Sequence, residues 1–118
     1  MGIGKATMTV RQINNQAAII DIQGEVTAAA DNALMDAYTQ ASSANARAII
    51  LNFGAMEYMN SSGIGLLVTL LIRVNRQKQK LLTFGLNEHY QQIFALTRLN
   101  EAIGIYQSES DALAAANA

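Results

Sequence analysis

The sequence has no cysteine, no proline and no tryptophan, and only one histidine. Without cysteine there can be no disulfide frame, no thiolate zinc site and no thiol nucleophile. Such a chain suits a reducing compartment, so a cytoplasmic location is expected. Charge is scarce as well. Charged residues make up 14%, with 8 Lys+Arg against 9 Asp+Glu and a formal net charge of −1, where an ordinary soluble domain carries about 25%. A net charge so small offers no electrostatic footprint for nucleic acid or an anionic membrane. Long apolar runs are missing too. The longest, Ile64 to Ile72, already contains Thr69 and falls far short of the roughly 20 residues needed to span a bilayer. The start, Met1-Gly2-Ile3-Gly4-Lys5, has no apolar h-region or cleavage site, so no signal peptide is read. The expectation is a small soluble domain that inserts in no membrane.

What is present is apolar and rich in alanine. Hydrophobic residues make up 51% of the 118, and 20 are alanine. That length suits one domain with one sizeable core, residues 1–118 with the core at about 7–116. Alanine favours helix while adding little core volume, which makes Thr27–Asn45 and Asp111–Ala118 helical in propensity. Thr7–Ile13 reads as a strand, Asn14-Asn15-Gln16 as a turn, and Ala17–Ile22 as a second strand that Gly24 ends. Leu34, Ala37, Tyr38 and Ala41 follow helical spacing inside Ala28–Ser43. Ala48–Phe53 is a continuous apolar run, as expected of a central strand covered on both faces. Gly54–Gly63 reads as a loop. A long helix over about Ser62–Gln77 follows, with Ile64, Leu67, Val68, Leu71 and Val74 in register. Leu81–Gly85 is a short strand, Glu88–Arg98 a helix, and Ile103–Tyr106 a last short strand. Ser108 with Asp111 three residues on resembles a capped start to a C-terminal helix. The expected fold class is α/β: an N-terminal hairpin and then β/α alternation, giving a mixed sheet of about four to five strands with about four helices.

One segment stands out for chemistry. Asn60-Ser61-Ser62-Gly63-Ile64-Gly65 follows the most apolar strand and opens the most hydrophobic helix. Ligand and modification sites in α/β sheets gather at the carboxyl ends of strands, and a helix start accommodates an anion. Two readings stand. Asn60 or Ser61 simply caps the helix, or a serine hydroxyl is presented to a partner or modified. Gly63 and Gly65 leave one side of the first turns bare, which would let another protein approach closely. Met56, Tyr58 and Met59 either roof the core or form an adaptable apolar rim for a partner. Other candidates are weaker. His89 beside Glu88 suggests phosphohistidine or acid–base chemistry, against the plainer reading of a surface histidine. Asp21, Asp31, Asp36 and Glu57 are too scattered for a metal site or carboxylate pair. No dinucleotide fingerprint or P-loop is present, and no cofactor or metal is expected. Arg73, Arg76, Lys78 and Lys80 read as a solvated, dipole-complementing helix end.

With those residues in hand, Ile49–Phe53 followed by Met59-Asn60-Ser61-Ser62-Gly63-Ile64-Gly65-Leu66-Leu67 resembles the STAS domain of bacterial anti-sigma factor antagonists. Gly24-Glu25-Val26, Leu82–Phe84, Ile93–Leu99 and Ser108–Leu113 extend the resemblance from about Met8 to Ala116. The resemblance implies a STAS fold and a regulatory protein rather than an enzyme. It implies that Ser61 is the phosphoacceptor of a partner anti-sigma factor that is itself a serine kinase, with a serine phosphatase reversing the change. Partner binding would then fall on Glu25, Tyr58, Met59, Asn60, Ser62, Gly63, Ile64 and Gly65. Asn60 stands where these antagonists typically carry Asp. The family also includes unphosphorylated STAS subunits of transporters and stress-signalling complexes, which gives a second reading. A small enzymatic or nucleotide-binding α/β domain is the third.

Overall fold

The computed structural model describes residues 5–43 and 45–118. The leader reading at residues 1–4, and residue 44 within the expected Thr27–Asn45 helical stretch, lie outside the described residues. The strands β1 (Thr7–Gln12) and β2 (Ala17–Val26) form an antiparallel hairpin, with Met8 opposite Ile22 and Val10 opposite Ile20. The turn is closed by Asn14, whose Oδ1 accepts from the Gln16 and Ala17 amides at 2.7 and 3.0 Å. A 3-10 turn at Ala28–Ala30, capped by Thr27, leads into α1 (Asp31–Ser42). The chain continues as β3 (Ala48–Met59), α2 (Ser61–Arg76), β4 (Lys80–Phe84), α3 (Glu88–Leu96), β5 (Gly104–Tyr106) and α4 (Glu109–Ala116). The expected mixed sheet with alternating helices is present.

The five strands lie in chain order, β1-β2-β3-β4-β5, and every pair after the hairpin is parallel. Successive crossovers therefore step in one direction across the sheet, and crossovers of one hand that step the same way place their helices on the same face. The packing follows. Ile20, Ile49 and Leu51 meet Leu34 and Tyr38 of α1, Leu67 and Leu70 of α2, and Phe94 of α3 in one buried cluster. The opposite face, with Ile19, Ile50, Leu82 and Phe84, is covered by Ala112 and Ala116 of α4. Ile49 and Ile50 are both fully buried, one on each face, as the unbroken apolar run requires.

Three expectations change. Gly24 does not end β2, and Gly54–Met59 is not a loop: both strands run on and pair with each other as far as Val26 and Met59. Gly24 remains in the strand at φ +85°, where a Cβ would come within 2.1 Å of the Lys5 carbonyl oxygen. The register slips twice. Asp21 pairs with Asn52 and Gln23 with Ala55; then Gly24 pairs with Met56 and Glu25 with Tyr58. Each slip gives β3 one residue more than β2, which is how a bulge absorbs glycine and turn-like residues without ending a strand. In the third helix, α3 stops at Leu96 rather than Arg98, and Arg98 takes a left-handed φ of 62°.

α4 is fastened to the hairpin by charge. The Arg11 guanidinium donates to Asp21 at 2.6 and 2.9 Å and to Glu109 at 2.8 and 3.3 Å. Asn52 donates to the same Asp21 carboxylate at 2.8 Å. The Arg11 hydrogen bond holds the Asp21 carboxyl below its ordinary value, against the opposing effect of partial burial.

Candidate functional site

The extended β2–β3 ribbon delivers the Asn60–Gly65 segment to a corner beyond the end of β4, whose ladder with β3 stops at Asn52–Phe84. The corner is anchored on both sides. The Asn60 amide donates to the Val26 carbonyl at 3.3 Å, and the Met59 amide donates to the Tyr90 hydroxyl at 2.9 Å. Asn60 then takes an extended backbone and its Oδ1 accepts from the Gly63 amide at 3.0 Å. This is an N-cap, and it satisfies one of the free donors of the helix start. Capping by Asn60 leaves Ser61 as the first helical residue, with Ser61 and Ser62 both exposed. Of the two residues able to cap this helix, Asn60 is the one that does so.

The two glycines part company. A Cβ on Gly63 would come within 2.2 Å of the Val26 carbonyl oxygen and 2.7 Å of the Met59 side chain, whereas a Cβ on Gly65 would meet nothing within 4 Å. The bare side of Gly63 therefore serves close packing of α2 on the ribbon, and the bare side of Gly65 faces outward. Met59 is only 4% exposed and belongs to the core, while Tyr58 is 47% exposed. Met59 and Gly63, expected to face a partner, thus support the corner from beneath. Glu25, Asn60 and Ile64 are half-buried. Glu25 lies opposite Tyr58 in the ribbon register, and Tyr58, Ser61, Ser62 and Gly65 are the exposed members of the set.

The electrostatics of the corner are set by an absence. α1, α3 and α4 carry an acidic residue in their first turns, Asp31, Glu88, and Glu109 with Asp111, but α2 carries none. No carboxylate of its own first turn offsets its positive end, and negative charge placed there is favoured. Down the exposed side of α2, Ser61, Gly65, Val68 and Ile72 follow at helical spacing, with Val68 40% and Ile72 48% exposed.

Other candidates fall away from this corner or change meaning. His89 is exposed, and its ring lies edge-on to Tyr90 at 4.9 Å. Two clefts of about 300 and 350 Å³ lie at the C-terminal ends of α1 and α2, lined by Arg47, Lys78 and Gln79 and by Tyr38, Thr39 and Arg73. They sit at the far end of α2 from Ser61. Among the described residues no cluster of three or more His, Cys, Asp or Glu side chains could hold a metal ion, and no helix is long and apolar enough to cross a membrane. Sequence reasoning missed Tyr90, which counts as one more apolar residue in its helix. Its signal is that a buried tyrosine hydroxyl needs a partner.

A family model described as the STAS domain matches residues 8–112. No curated protein sequence matches the chain. Among solved structures, an anti-sigma factor antagonist from Mycobacterium paratuberculosis superposes with a TM-score of 0.81 at 18% identity, covering 97% of this chain and 96% of that one. The anti-sigma factor antagonist SpoIIAA in its unphosphorylated form gives 0.70 at 16% identity, over 89% and 92% of the two chains. The Bacillus cell fate determinant SpoIIAA in its phosphorylated form gives 0.66 at 18% identity, over 91% and 96%. Identities this low speak for the fold.

Proposed function

Because this chain belongs to the STAS domain family, we propose that it is an anti-sigma factor antagonist whose binding is gated by phosphorylation of Ser61. In its unmodified form it binds a serine-kinase anti-sigma factor through the Ser61 corner. Phosphate transfer to Ser61 releases it, and a serine phosphatase restores it. One observation carries the reading: Asn60 takes over capping, so Ser61 stands exposed at the first position of a helix whose own first turn holds no acidic residue. A phosphate brings about −1.5 to −2 charges at neutral pH. At this helix start the added charge is tolerated by the fold, so its effect falls on whatever presses against Ser61. The exposed Gly65, Val68 and Ile72 give such a partner an apolar surface next to the switch. SpoIIAA, whose fold the chain shares, has been solved both with and without its phosphate, which agrees with a switch of this kind.

The test is direct. Incubated with ATP and its cognate kinase, the wild type gains one phosphate by intact mass and Ser61→Ala gains none. Ser61→Asp binds the kinase more weakly than the wild type. The neutral Asn60, where antagonists typically carry Asp, favours a second reading, an unphosphorylated STAS subunit of a transporter or stress complex. Under that reading the wild type gains no phosphate, and Ser61→Asp and wild type bind the partner equally.

A further inference from the structure

The phosphoacceptor corner hangs beyond the body of the sheet, and the residue that ties it to the third helix is Tyr90. β4 ends opposite Asn52, so Met59 has no strand neighbour on that side to take its amide hydrogen. A buried backbone N–H requires an acceptor, and here the acceptor is a side chain. Tyr90 is only 6% exposed, and its hydroxyl accepts from the Met59 amide at 2.9 Å. The tyrosine is itself fixed at its backbone, where Asn87 caps α3 and its Oδ1 accepts from the Tyr90 amide at 3.0 Å. On the other side, the next residue, Asn60, donates to Val26 at 3.3 Å. The two residues before Ser61 are thus tethered in turn, one to α3 and one to β2.

A phenol suits this position because its ring is buried at no polar cost while its single hydroxyl reaches one donor. Phenylalanine would fill the same space and leave the Met59 amide unpaired. We propose that Tyr90 is a positioning residue for Ser61, fixing the end of β3 so that the serine hydroxyl is presented in one orientation to the phosphoryl donor. The proposal rests on the reading of Ser61 as phosphoacceptor. It predicts an effect on phosphotransfer itself, since small displacements of a reacting group are costly, about 100-fold for 1 Å. It predicts little effect on docking, since Glu25, Tyr58 and the outer side of α2 are left in place.

The experiment compares wild type, Tyr90→Phe and Phe94→Leu. Phe94 is fully buried and packs edge-on to Phe53 at 6.4 Å, so Phe94→Leu destabilises α3 without touching the Tyr90 hydroxyl. In single-turnover phosphorylation by ATP and the cognate kinase, Tyr90→Phe is expected to slow transfer about tenfold or more with nearly unchanged kinase affinity. Phe94→Leu is expected to leave transfer near the wild-type rate. Without any kinase, amide hydrogen exchange of Tyr90→Phe should show faster exchange at Met59 spreading to Asn60–Gly63. Unchanged exchange across Met59–Gly63 overturns the proposal. So does a wild-type transfer rate in Tyr90→Phe, or an equal loss in Phe94→Leu. If the wild type takes no phosphate, the reading of Ser61 fails, and the exchange data still decide whether Tyr90 sets the geometry of the corner.

Discussion

Gly63 and Gly65 stand two residues apart in one helix and answer to opposite demands. A methyl group at Gly63 would enter the backbone of β2, since the nearest contact is the Val26 carbonyl at 2.2 Å. Backbone cannot yield as a side chain can, so Gly63→Ala should cost about 1–3 kcal/mol and lower the urea midpoint. Gly65→Ala meets open space and replaces a helix-interior glycine, so it should be neutral or stabilising by about 0.5–1 kcal/mol. Binding reverses the ranking: if a partner rides over Gly65, the alanine there weakens the complex while leaving the fold intact. Equal urea midpoints for the two variants would contradict this assignment. The motif letters made both glycines look like one bare face. Only the tertiary contacts separate the one that packs inward from the one left open.

At the scale of elements, the informative departure is β3. Its first half was legible because Ala48–Phe53 is unbroken and apolar, and such a run belongs to a strand covered on both faces. Its second half was not. Gly54, Glu57 and Tyr58 break the pattern, and Gly54–Met59 is a strand because the end of β2 pairs with it across two bulges. Non-local pairing of that kind leaves no local signature. The ribbon then hands the chain to α2 through Asn60, and this junction is open to test. Asn60→Ala removes the acceptor of the Gly63 amide and should cost about 1 kcal/mol. Asn60→Asp keeps the cap and adds negative charge to a helix start that has no acidic residue, so it should match or exceed wild-type stability. Thermal melts of the three proteins at neutral pH check the order. An Asn60→Asp melt below that of Asn60→Ala would overturn the account of the cap.

For the whole molecule, chain-order strands put three helices on one face and leave the short α4 to cover the other. The Arg11 guanidinium bridges Asp21 of β2 and Glu109 of α4, joining residues far apart in the chain. All three side chains are partly exposed, so the network is one of modest strength in solvent. Its pH dependence has a definite sign. The Asp21 carboxyl is lowered in the folded state from its ordinary 3.8, first by the Arg11 hydrogen bond. A carboxyl so lowered contributes stability that is fully present above its ordinary value and is lost as pH falls through its folded value. Denaturant midpoints should therefore fall on acidification below about pH 4, and Asp21→Asn should show a smaller acid-side fall than the wild type. An identical fall in both proteins would remove Asp21 from the account. Arg11→Ala should speed amide exchange in α4 before it affects β3, because α4 loses its tie to the hairpin.

The sequence by itself determined the order of elements, the covered central strand and the serine-bearing segment at the start of the longest helix. Each of these is written in local terms: periodicity, an unbroken apolar run, cap and turn residues adjacent in the chain. Tertiary structure decided the rest. It extended β2 and β3 past their glycines, sent Met59 and Gly63 inward, and brought Tyr90 to the Met59 amide. It also joined Arg11 to Glu109. These are encounters between residues distant in sequence, and their energies depend on which groups lack a partner once the sheet has formed. The scarcity of charge that marked the chain at the outset also makes the neutral cap at Asn60 consequential, because no carboxylate in the first turn of α2 balances its positive end.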